Sequence, residues 1–142
     1  MSDSMRHAIG AYRTAATTVH PLVAVVKLYD EALRRIGQAI DGTEAKRHEE
    51  AYINISRASM ILRGLAANLR FDVGGADGSA LAATLKQTYV TNMIALHTSY
   101  GKKDAPAHYN RIRRGLLELR NAWAVTAGMA EISIEERPSP KK

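Results

Sequence analysis

Four long stretches of this chain carry apolar residues at alternating spacings of three and four, and every proline lies outside them or at their front ends. That spacing marks one face of an α-helix and excludes the period-two alternation of a half-buried strand. The first stretch, residues 21–41, aligns Leu22, Val25, Val26, Tyr29, Leu33, Ile36 and Ile40, with Asp41-Gly42 as the turn after it. The second, residues 43–70, runs through Tyr52, Ile55, Ser59, Leu62, Ala66 and Leu69. Thr43 is its expected N-cap, with Glu44 in the first turn. The third starts at Ser79 as N-cap, continues through Leu81, Leu85, Tyr89, Met93, Leu96 and Tyr100, and stops at Gly101. The fourth starts at Asp104, a cap ahead of Pro106, and carries Tyr109, Ile112, Leu116, Leu119, Trp123 and Thr126.

Helices of roughly 20 residues are about 30 Å long, and each must bury its stripe on another. Short turns make sequential helices antiparallel neighbours. The expected fold is all-α, an antiparallel up-down four-helix bundle over residues 20–130. Residues 1–19 form a short N-terminal capping segment and residues 131–142 a disordered tail. Within the cap, Ile9, Tyr12 and Val19 supply enough apolar surface to dock without a long helix of its own, as a removable lid.

Composition narrows the function. The 142 residues include no cysteine, which removes disulfide frameworks and thiolate metal sites. No apolar run approaches the roughly 20 residues of a membrane span, so no membrane insertion is expected, and the polar start of the chain does not read as a signal peptide. A cytoplasmic protein is the expectation. Twenty Lys and Arg against 14 Asp and Glu give a net charge of +6. Their densest run, Arg111, Arg113, Arg114 and Arg120, splits between different sides of one helix, so it forms no basic stripe and nucleic-acid binding is not expected. Glu-x-x-His is absent, and His48-Glu49-Glu50-Ala51-Tyr52 has Tyr52 where a zinc helix needs its second His. The glycines from 74 to 78 lack phosphate-loop spacing and read as a flexible turn. No metal, no cofactor and no enzyme are therefore expected.

A second apolar stripe remains. On the second stretch, Ile53, Met60, Gly64 and Ala67 lie away from the core face, and Ala83, Val90, Ile94 and His97 repeat those offsets on the third; Leu28 adds to them from the first. Such a strip suits another amphipathic helix, and Leu28, Ile53, Met60, Ala67, Val90 and Ile94 are the expected groove residues. The N-terminal segment, the tail or a homodimer mate could equally cover them. From the residues alone, a homodimeric helical adaptor whose basic surface binds nucleic acid or an acidic protein stays open as the rival.

Several segments, taken in order, resemble the FliS family of flagellin-specific export chaperones. Ile9-Gly10-Ala11-Tyr12 is similar to that family's Ile-x-Ala-Tyr. His20-Pro21-Leu22, then Leu28-Tyr29-Asp30-Glu31-Ala32-Leu33, is similar to its opening helix. Phe71-Asp72-Val73-Gly74-Gly75 resembles its paired-glycine turn, and Leu119-Arg120-Asn121-Ala122-Trp123 its Leu-Arg-x-x-Trp. The resemblance implies a cytosolic chaperone that binds the C-terminal segment of flagellin, blocks premature polymerisation and keeps the client competent for type III secretion. It also implies that the N-terminal segment covers part of the binding surface when no client is bound, with Ile9 and Tyr12 as the cap residues.

Overall fold

The computed structural model describes residues 3–16 and 22–134, with residues 11–16 as backbone alone. Five helices and no strand occur among them: α1 Asp3–Ala16, α2 Leu22–Glu44, α3 His48–Ala67, α4 Gly75–Ser99 and α5 Ala105–Thr126. The four long stretches are α2 to α5. The N-terminal segment, expected to lack a long helix, forms the 14-residue α1. Isolated helices that short are marginal in water, so packing sustains it: Ile9 is fully buried, and α1 rests on α4 and α5.

Contacts between helices set their directions. Gly42 of α2 lies against Ala51 of α3, while Arg35 donates to the Asn54 carboxamide at 3.2 Å, so α2 and α3 run antiparallel. Asp30 meets Arg120 and Gly37 meets Arg113, which makes α2 and α5 antiparallel too. Tyr52 and Tyr100 rings lie 5.3 Å apart and Ser59 bonds His97 at 2.9 Å, which does the same for α3 and α4. Between them sit Tyr29, Tyr89, Tyr109, Ile36, Leu62 and Leu116, all fully buried. Each such side chain contributes on the order of 1.5–3 kcal/mol relative to exposure. Tyr29 and Tyr89 join their hydroxyls by a short hydrogen bond across α2 and α4.

Two helix starts and one side-chain cap differ from the sequence reading. Asp41-Gly42 stays inside α2, and Thr43 donates back to the Ala39 carbonyl at 2.8 Å, so it does not cap α3. The turn comes later, at Lys46, whose φ is +61°. A Cβ on Gly42 would sit 3.2 Å from the Ala51 nitrogen, so Gly42 is where α3 closes onto α2. Ser79 is likewise inside α4, which starts at Gly75. Gly74 and Gly75 take φ of +76° and +65°, which turns the chain directly into the helix. Asp104 holds the N-cap position of α5, but its carboxylate pairs with His108 at 2.9 Å instead of capping an amide. Gly101, at φ +82°, stops α4 as expected. Tyr52, expected in the core, is exposed at the α4 edge of α3.

Gly78 has the tightest steric requirement. A Cβ there would lie 2.0 Å from the Val73 carbonyl oxygen, against backbone that cannot yield cheaply. Gly78→Ala is therefore expected to destabilise by about 2 kcal/mol or more despite alanine's better helix propensity, read as a lower melting temperature; an unchanged or higher one contradicts the close approach.

Burial pushes the Tyr109 hydroxyl up to about 12, with Tyr100 adding to the effect, and burial first, then Tyr89, raises Tyr29 well above its ordinary value. Both groups are held neutral by the fold. The resulting stability is complete below the unfolded value of about 10 and is lost as pH rises through the raised folded values. Melting temperature should thus fall steadily from about pH 10 to 12, with tyrosinate absorbance of these residues appearing only on unfolding. A flat melting profile over that window rules it out.

Candidate protein-docking surface

Helix α3 turns Ile55, Ala58 and Leu62 into the core, which fixes where its other residues point. At about 100° per residue, Ile53 and Met60 stand about 160° and 140° from Ile55, on the outer side. On α4, Val90 and Ile94 stand about 140° and 180° from the buried Leu85. Met60 is 70% exposed and Ile94 59%, and Ile53, Ala67 and Val90 are also exposed. Five of the six expected groove residues therefore lie on the outer side of α3 and α4.

They do not share one groove. Tyr52 and Ser59 mark the edge of α3 facing α4, and His97 marks the edge of α4 facing α3, with the Tyr52 and His97 rings 6.4 Å apart. Val90 precedes His97 by seven residues, within about 20° of it, and borders this seam; Met60, about 80° round α3 from Tyr52, stands on its outer shoulder. Met93, half-buried, lies at its floor. Ile53, within about 20° of Met60 around α3 but two turns before it, also reaches the opposite flank, where it lines a polar hollow with Arg35, Asp41, Glu50 and Arg57. Leu28, 42% exposed, stands on α2 beyond that flank, separated from the seam by the width of α3.

The expected cap residues are differently placed. Ile9 is inside the common core cluster and presents no surface. The Tyr12 side chain lies outside the described residues. An open cleft of about 590 Å³ separates part of α1 from α4, lined by Met5, Ala8, Asp77, Ala80, Leu81 and Thr84, so α1 does not seat flush along its length.

The start of the expected tail is pinned. Arg120, 4% exposed, donates to the Asp30 carboxylate at 2.8 Å and to the Ala130 carbonyl at 2.7 Å. Asn121 grips Ile132 twice, accepting from its amide at 3.0 Å and donating to its carbonyl at 2.8 Å. Arg6 of α1 reaches Glu131 at 3.2 Å, and Met129 and Ile134 pack against the core. Residues 129–134 thus form an extended strap tied to α5 and touching α1; the rest of the tail lies outside the described residues.

The sequence matches the family described as flagellar protein FliS over residues 5–130, most of the chain. The chain belongs to the FliS family of flagellar export chaperones. No curated protein matches it. The matched span takes in most of α1, the seam and the anchoring pair of the strap. None of the helices described is long and apolar enough to cross a membrane. Among the described residues, no three His, Asp or Glu side chains gather as a metal site.

The sequence analysis counted Arg120 only as one cation of the basic run in α5, whereas the structure buries it. Its signal was present: Arg120 follows Leu116 by four and precedes Trp123 by three, the spacing of a core position. Within this FliS-family chain, Arg120 and Asn121 of the Leu119-to-Trp123 segment hold the strap. Arg120→Ala is expected to cost about 2–3 kcal/mol, because Asp30 and the Ala130 carbonyl lose their donor and the buried stem its packing. Amide exchange in residues 129–134 should rise with it. Exchange no faster than in the parent chain would show that the strap is held elsewhere.

Proposed function

We propose that this FliS-family chain is a cytoplasmic, non-enzymatic chaperone that binds the C-terminal segment of flagellin, blocks its premature polymerisation and keeps it competent for type III secretion. On this reading α2 to α5 act as an antiparallel four-helix bundle with α1 as its cap. The contacts of α2 with α3 and α5, and of α4 with α3 and α5, support that arrangement. The observation that carries the reading is the seam between α3 and α4, where Met60, Val90 and Ile94 face outward along two neighbouring helices.

Physical chemistry favours a disordered client for such a surface. A segment that orders on binding loses conformational entropy and offsets it only over extended apolar contact. A client helix laid along the seam would remove Met60 and Ile94 from water, each contributing on the order of 1–2 kcal/mol after discounting what is already covered. Ile9 and Tyr12 would hold the cap closed in the empty chaperone. The incomplete seating of α1 on α4 supports a cap that opens at low cost.

The decisive measurement is titration of the full chain with a peptide of the organism's own flagellin C-terminal segment. Binding is expected, with Met60→Asp and Ile94→Asp each weakening it at least about tenfold while helical circular dichroism and melting stay as in the parent. Unaltered affinity in both variants removes the seam from the site. Failure of the peptide to bind, together with a stable dimer in solution that buries Met60 and Ile94, would assign the outer face to self-association.

A further inference from the structure

Charge on the seam narrows the partner's chemistry, an inference that rests on the docking role of that surface. No carboxylate occurs between Glu50 and Asp72, nor between Asp77 and Asp104, so beyond their first turns α3 and α4 carry cations alone. Two of them belong to the seam itself. Arg63 follows Tyr52 by 11 residues and Lys86 precedes His97 by 11, which keeps each within about 20° of its partner's side of the helix. Tyr52 and His97 are adjacent across the seam, and the helices are antiparallel. The same three turns, about 16 Å along both helices, bring Arg63 and Lys86 to facing positions with Met60 and Val90 between.

Both cations are exposed, and no ion pair among the described residues engages either. The nearest acids in sequence are committed elsewhere: Asp72 pairs with Arg70 at 2.8 Å, and Asp77 lines the cleft toward α1. Like charges that face each other repel, and an anion between them relieves that repulsion. We propose that the α3/α4 seam takes an amphipathic helix that lays its apolar face over Met60, Val90 and Ile94 and sets a carboxylate-bearing flank against Arg63 and Lys86. The rings of this seam, Tyr52, His97 and Tyr100, pack on one another about 16 Å from the two cations, which favours an acidic protein helix over a nucleic acid.

Two synthetic amphipathic peptides of identical apolar face, one flanked by Glu and one by Lys, test this on the full chain by fluorescence polarisation. The Glu-flanked peptide should bind about tenfold more tightly at low salt, with the difference shrinking toward about 0.5 M salt. The pair Arg63→Glu with Lys86→Glu should reverse the preference, and Met60→Asp should weaken both peptides. Equal affinities, a preference that survives the charge reversal, or no binding of either peptide would overturn the proposal. So would a single-stranded oligonucleotide that displaces the Glu-flanked peptide through Arg63 and Lys86, since it would assign the cations to nucleic acid. If flagellin's segment binds while the two peptides bind alike, only the acidic-flank chemistry fails and the chaperone reading stands.

Discussion

A helix has one core-facing side, and this constraint governs α3 and α4. With Ile55, Leu62, Leu85 and Leu96 directed inward, the periodicity of the backbone forces Met60 and Ile94 outward. No rotamer change brings them back. Any cover for them would come from another body, and the antiparallel contact of the two helices aligns their stripes along neighbouring helices instead of scattering them. Helix geometry thus converts a surplus of apolar residues into a shaped surface.

Helix α1 lies on the other side of α4 from that seam. Ala80, Leu81 and Thr84 meet the α1 side, whereas His97, and Val90 with it, meet α3. α1 therefore leaves Met60 and Ile94 uncovered where it is described. A client that both displaces α1 and fills the seam would have to pass around α4, which suits an extended, initially disordered segment better than a rigid partner. The strap adds a second restraint on α1, through Arg6 and Glu131, but that ion pair is exposed and contributes little. The buried anchors of the strap belong to α5, so the C-terminal segment can remain bound while α1 moves.

The four long helices and most of the core were legible because burial and periodicity agree over long stretches: Tyr29, Leu33 and Ile36, or Tyr109, Ile112 and Leu116, each repeat at three and four. Boundaries were less legible where tertiary contact overrode local signals. Asp41-Gly42 has the composition of a turn, yet Gly42 serves a close approach to α3; Gly78 reads as flexible but is fixed against the Val73 carbonyl. α1 was missed as a helix because its stability resides in a single buried face centred on Ile9, contributed by partners far away in sequence.

The outer residues followed the same logic in reverse. Tyr52 fitted the apolar pattern of α3 but falls at its edge, about 60° from Ile55, and its ring packs on Tyr100 and His97. Arg120 broke the pattern of α5 by being polar at a core spacing, and it is buried because the Asp30 carboxylate and the Ala130 carbonyl take up its donors. Met60 and Ile94 broke it in the opposite sense, apolar where the spacing demands solvent. A polar group inside must find its partner within the chain, since an unmet buried charge is too costly to persist. An apolar group outside carries no such penalty beyond its contact with water, so it can wait for a partner that is not there. That asymmetry is why the inward exception became the internal anchor of a strap, while the outward ones stay on the surface that the proposed client would use.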